Sequence, residues 1–113
     1  MIEIIIKNYL AEKLSVPVKL EVPANSPKSF VLLEKTGSSR EERIDRAMLA
    51  IQSYAPSMYE AARLNERVKA AMDSAAELDS VSASRLNSDY NFTDTTTKRY
   101  RYQAVYDLVY YDE

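Results

Sequence analysis

Arg43-Ile44-Asp45-Arg46-Ala47-Met48-Leu49-Ala50-Ile51-Gln52-Ser53-Tyr54, followed by Ala55-Pro56 and then Ser57-Met58-Tyr59-Glu60, is the stretch whose reading decides the fold. Its first part sets Ala47, Leu49 and Ile51 on one side at strand period and Arg46 and Gln52 on the other, which predicts a strand. Pro56 has no N–H to give a ladder, so the strand ends there. Ser57-x-x-Glu60 has the spacing of a capping box, in which each side chain closes an orphan backbone N–H, and a helix is expected from Ser57. Ala61, Leu64, Asn65, Val68, Ala71, Met72 and Ala75 then recur at helical steps, with Glu60, Arg63, Arg67 and Lys69 turned away. An apolar stripe of that kind needs a sheet to cover. Nothing in the unit is chemically reactive.

Working outward, Ile2, Ile5, Ile6, Tyr9, Leu10 and Leu14 share one helical face, with Glu3 and Lys7 spaced for an i,i+4 pair. The helix stops at Val16-Pro17, because the residue before proline is pushed towards extended geometry. Val18–Val22 is expected to be a strand. Pro23-Ala24-Asn25-Ser26-Pro27 is turn chemistry, which predicts that this strand and an interior strand over Phe30–Lys35 pair as a hairpin. Thr36–Glu42 is polar and holds Gly37, so it is expected to be a mobile hairpin loop leading into the central strand. After the central helix, Val81–Asn87 reads as a polar edge strand and Ser88–Thr97 as a loop. From Arg99 to Tyr111 the alternation is strict, with Tyr100, Tyr102, Ala104, Tyr106, Leu108 and Tyr110 on one face. The expected architecture is a single α+β domain over 1–113, one mixed sheet of about five strands with two helices on one face, in the order α-β-β-β-α-β-β.

Composition narrows the chemistry. The chain of 113 residues has no Cys and no His, which removes disulfides, thiolate nucleophiles and the commonest general base. A single Gly leaves no glycine-rich phosphate loop. Net charge is −2, from 15 basic and 17 acidic residues, so no global field favours nucleic acid or an anionic membrane. The short apolar run at Ile4-Ile5-Ile6 lacks a basic flank and a cleavage site, and no apolar stretch is long enough to span a bilayer, so a soluble intracellular product is expected. No enzyme activity, metal or cofactor is expected.

Four constellations have blander alternatives. Asn87, Asp89 and Asn91 have the spacing of the opening ligands of a calcium loop, but Phe92 and Lys98 occupy the positions that need Gly and Glu. Asn91-Phe92-Thr93 matches a glycosylation acceptor without a secretory route, and Asp89 with Asp94 lacks the apolar wall that would split a catalytic pair. Lys98, Arg99 and Arg101 beside Tyr100 and Tyr102 would suit a small module for single-stranded nucleic acid; alternation sends the bases and tyrosines to opposite faces. More informative is that the strands are apolar on both sides. Phe30 and Leu32 oppose Val31 and Leu33, Met48 and Tyr54 oppose Leu49 and Ile51, and Val105 and Val109 oppose the tyrosine row. Two helices cover one face, so the other is expected to serve subunit contacts.

Val16-Pro17-Val18 with Glu21-Val22-Pro23, Phe30-Val31 with Lys35-Thr36-Gly37, Asp45-Arg46-Ala47 through Leu49–Ala55, and Arg101-Tyr102-Gln103 together give the chain an almost end-to-end resemblance to the tail terminator and minor tail proteins of bacteriophages and prophages with long non-contractile tails. It departs from them at Ser38, where relatives often carry a second Gly. The resemblance implies a structural subunit, with no reaction catalysed, that closes into a ring, of six subunits as the family suggests, on the major tail tube protein, ends tube growth and presents a surface for head–tail connector proteins. A head–tail joining role is the alternative within the same class. Virion tail, and host cytoplasm during assembly, are the expected locations. The residues expected at the subunit or partner interface are Ser38, Ser39, Arg40, Glu41, Glu42, Arg43, Met48, Tyr54, Val105 and Val109.

Overall fold

The computed structural model describes residues 1–97 and 99–111. Elements follow in the order α1 (Ile2–Lys13), β1 (Val18–Lys19), β2 (Phe30–Glu41), β3 (Ile44–Ala55), α2 (Met58–Asp73), a short 3-10 turn over Ala75–Glu77, β4 (Val81–Asn91) and β5 (Tyr100–Tyr110). The strands form one mixed sheet in the spatial order β1-β2-β3-β5-β4. This is the expected α+β class and element order.

Ser57 caps α2 as its spacing predicts: its hydroxyl accepts from the Glu60 N–H at 3.2 Å and donates to the Glu60 carboxylate at 3.0 Å. Ala61, Leu64, Asn65, Val68 and Met72 are buried beneath α2. Leu64, Val68 and Met72 meet Leu49 and Ile51 of β3 and Ala104, Tyr106 and Leu108 of β5 in one core, which Ile2, Ile6, Tyr9 and Leu10 of α1 extend over Val31 and Leu33. Both helices therefore lie on the same sheet face. Tyr9 ties them together by donating to the Ala71 carbonyl at 2.7 Å. Burial pushes the Tyr9 and Tyr106 hydroxyls up, Tyr106 to about 12.

Four expectations are corrected. The first strand covers only Val18–Lys19 and pairs parallel to β2, so no hairpin forms. The chain leaves the sheet after Lys19 through Pro23 and Pro27, neither able to donate to a ladder, and re-enters at the end where β1 began. Secondly, Thr36–Glu41 is strand rather than loop, paired residue by residue with β3 apart from one register shift between Lys35 and Gly37. Main-chain bonds and the Arg40–Asp45 pair, at 2.6 and 2.8 Å, hold it without apolar side chains. The turn is Glu42-Arg43 alone, with φ of 52° and 68°, the left-handed pair of a tight two-residue hairpin. Thirdly, β4 runs on to Asn91, so Ser88–Asn91 belong to the edge strand. Finally, Tyr54 is buried. Lys98 lies outside the described residues.

Candidate assembly interface

The face away from the helices has two unlike ends. At the end where β3 finishes, Phe30 and Tyr54 stack with ring centroids 4.5 Å apart and the planes 6° from parallel, and with Leu32 they form a second small core. Their neighbours complete a directed chain of hydrogen bonds. Arg101 Nη1 donates to the Tyr54 hydroxyl at 2.6 Å, which donates to Gln52 Oε1 at 3.0 Å. Gln52 Nε2 donates to Gln103 Oε1 at 2.8 Å, and Gln103 Nε2 to the Tyr90 hydroxyl at 2.5 Å. Register explains the meeting, since Tyr54 sits opposite Arg101, Gln52 opposite Gln103 and Tyr90 opposite Gln103. The Arg101 guanidinium also lies 4.4 Å from the Phe92 ring centroid and donates to the Phe92 carbonyl at 2.6 Å. Arg99 sits over the Tyr54 ring at 5.4 Å and donates to Ser26 Oγ at 2.9 Å.

This end is finished from within the chain. The arginines expected at a nucleic-acid surface, Arg99 and Arg101, are engaged here with aromatic rings, two hydroxyls and a carbonyl. Asp89 and Asp94 are apart in role. Asp89 accepts from Asn65 at 2.9 Å and from Lys69 at 3.0 Å, pinning α2 to the edge strand; Glu66 first and Asp89 second hold the Lys69 ammonium above its ordinary range. The Asp94 carboxyl is held low by hydrogen bonds from Thr97 and Thr96. The calcium-like spacing is dismantled by a register shift between Leu86 and Ser88: Asn87 donates to Asp107 on the open face, whereas Asp89 reaches α2 on the other. Among the described residues no cluster of three or more metal-ligating side chains occurs.

Towards the β2–β3 turn the same face is a groove of about 560 Å³. Two adjacent rows across the sheet build it: Gly37, Met48, Asp107 and Arg85 in one, and Ser39, Arg46, Val109 and Ala83 in the next. Small residues on the outer strands leave the hollow, and Met48 and Val109 supply its apolar floor. Met48 is 39 % exposed, Val109 is half-buried, and Arg46 and Arg85 are exposed.

Of the expected interface residues, the structure brings Ser38, Ser39, Met48 and Val109 to this groove. Glu41, Glu42 and Arg43 stand beyond it, exposed at the tip. Arg40 faces Asp45 within its own hairpin, Val105 lies midway along the face, and Tyr54 is sealed at the far end. Sequence reasoning missed Arg46, Arg85, Asp107 and Ala83 as parts of one surface, and it missed the Gln52–Gln103 pair. Two glutamines in neighbouring strands were the available signal, unreadable without the register. A scan against protein-family models and a search of curated proteins each found no match to the chain.

Proposed function

We propose that this chain is a structural virion protein, a ring-forming tail terminator that caps a phage tail tube and mediates head–tail joining. The observation that carries the reading is the open sheet face. Both helices lie opposite it, and at the hairpin end it keeps an apolar-floored groove that the chain's own described residues leave uncovered. Surfaces of this kind are used for subunit contacts. The almost end-to-end resemblance to tail terminators adds the assembly context: a subunit whose work is to recognise the end of a tube by shape. The long hairpin supports it as well, since it gives a molecule of 44 × 25 × 25 Å two dissimilar ends. Dissimilar ends suit head-to-tail contacts, which close into a ring when the rotation between subunits allows.

The test is to add the protein to growing tubes of its cognate tail tube protein, and to follow light scattering and tube length by electron microscopy. Self-association with rising concentration and capped tubes of limited length are expected. A strict monomer that leaves tube growth unchanged would overturn the proposal.

A further inference from the structure

Gly37 is the only glycine of the chain, and it lies at the register shift between Lys35 and Gly37 on the open face. Its φ is not positive, so other residues adopt the same conformation, and a Cβ placed on it meets nothing within 4 Å. Glycine inside a strand weakens it, through extra backbone entropy and a missing side chain. A strand glycine marks a bulge, as at this register shift, or a place that another backbone can approach closely. Here that place is the groove, whose rim carries Arg46 and Arg85 against the single carboxylate of Asp107, already engaged by Asn87.

Leu20-Glu21-Val22 continues from β1 but leaves the sheet, with Leu20 37 % and Val22 47 % exposed and Glu21 exposed between them. Two apolar side chains at i and i+2 around a carboxylate fit a floor of Met48 and Val109 beneath long basic side chains. The segment begins beside Leu32, opposite Lys19, while Gly37 lies further along β2 by roughly 16 Å at strand rise.

We infer that the groove beside Gly37 seats the Leu20-Glu21-Val22 segment of a second copy of this chain. Laid out in extended conformation along the groove, the segment rests Leu20 and Val22 on Met48 and Val109, and Glu21, then pointing the other way, meets Arg46 and Arg85 at the rim. Charges of opposite sign then meet at every contact, and the contact is heterologous, as a ring requires. The inference rests on the self-assembly proposed above and names the surfaces that carry it.

Sedimentation velocity over a concentration series, with thermal melts on the same samples, tests it. Gly37→Leu fills the groove where space is open. Glu21→Arg, and Arg46→Glu with Arg85→Glu, reverse the charges at exposed sites. Each should raise the concentration for half-assembly about tenfold or more with the melting midpoint unchanged, and the three charge reversals combined in one chain should recover assembly. If Gly37→Leu fails to fold, the charge set decides alone. A parent that assembles while Glu21→Arg assembles equally well overturns this contact and leaves the proposed function standing. A parent that stays monomeric overturns both.

Discussion

The two ends of the open sheet face are built from the same four strands, β2, β3, β5 and β4, yet they treat polar and apolar groups in opposite ways. Around Tyr54, each step from Arg101 to Tyr90 passes a donor to an acceptor, and the buried glutamines Gln52 and Gln103 satisfy one another. Around Gly37, the rim arginines and the floor of Met48 and Val109 face outward. An apolar residue on the face away from the helices is therefore a weak indicator of an interface. Tyr54 belongs to the chain's own packing, and Met48 is available to a partner. The difference lies in whether neighbouring strands complete the surroundings.

Breaking the finished end should have the largest effect. Tyr54→Ala removes the stack on Phe30 and leaves Gln52 and Arg101 without their shared hydroxyl, a loss expected to reach about 3 to 5 kcal/mol in denaturant melts. On the helix face, Leu64→Ala should cost roughly 2 to 4 kcal/mol, whereas Arg63→Ala, exposed on the outer side of α2, should cost well under ~1 kcal/mol. At the hairpin tip, Glu42→Asn with Arg43→Gly relieves two left-handed residues and should raise stability by about 1 kcal/mol. The groove end should matter least for folding: Met48→Ala is expected to shift stability by less than about 0.5 kcal/mol while weakening assembly. A melt in which Met48 outweighs Tyr54 would reverse the assignment of the two ends.

Alkaline titration probes the helix face separately. The hydroxyl of Tyr106 is raised by burial to about 12, above its ordinary 10.0, so the folded state holds that proton more tightly than the unfolded chain. The stability this contributes is complete below pH 10 and is lost as pH rises from 10 towards 12. Lys69, also raised, loses its contribution as pH climbs through its elevated folded value, starting above 10.5. Tyr106→Phe should therefore flatten the fall in melting midpoint across that window.

How much of this was legible in the sequence follows from where side chains or main chain held the information. The alternation of Ala47, Leu49 and Ile51, the cap at Ser57 and the stripe through Leu64 and Val68 fixed β3 and α2, because burial leaves its period in the side chains. Thr36–Glu41 left no such trace. Its pairing to β3 depends on backbone hydrogen bonds and on a tight turn at Glu42-Arg43, which lacks the usual Asn-Gly signal. The parallel placement of β1 was invisible for a related reason, since Pro23 and Pro27 mark a turn without saying which way the chain comes back. The groove stayed hidden because Arg46, Arg85 and Asp107 come from three strands and meet only through register.

Hydrogen exchange of the parent chain at rising concentration distinguishes a finished end of the open face from an end that serves assembly. Amides of Gly37–Glu41 and Ala83–Leu86 should slow as assembly proceeds, while those of Tyr90–Asn91 and Tyr100–Tyr102 exchange at unchanged rates. Protection that grows at the Tyr54 end and leaves the Gly37 end unaltered would contradict that assignment of the two ends.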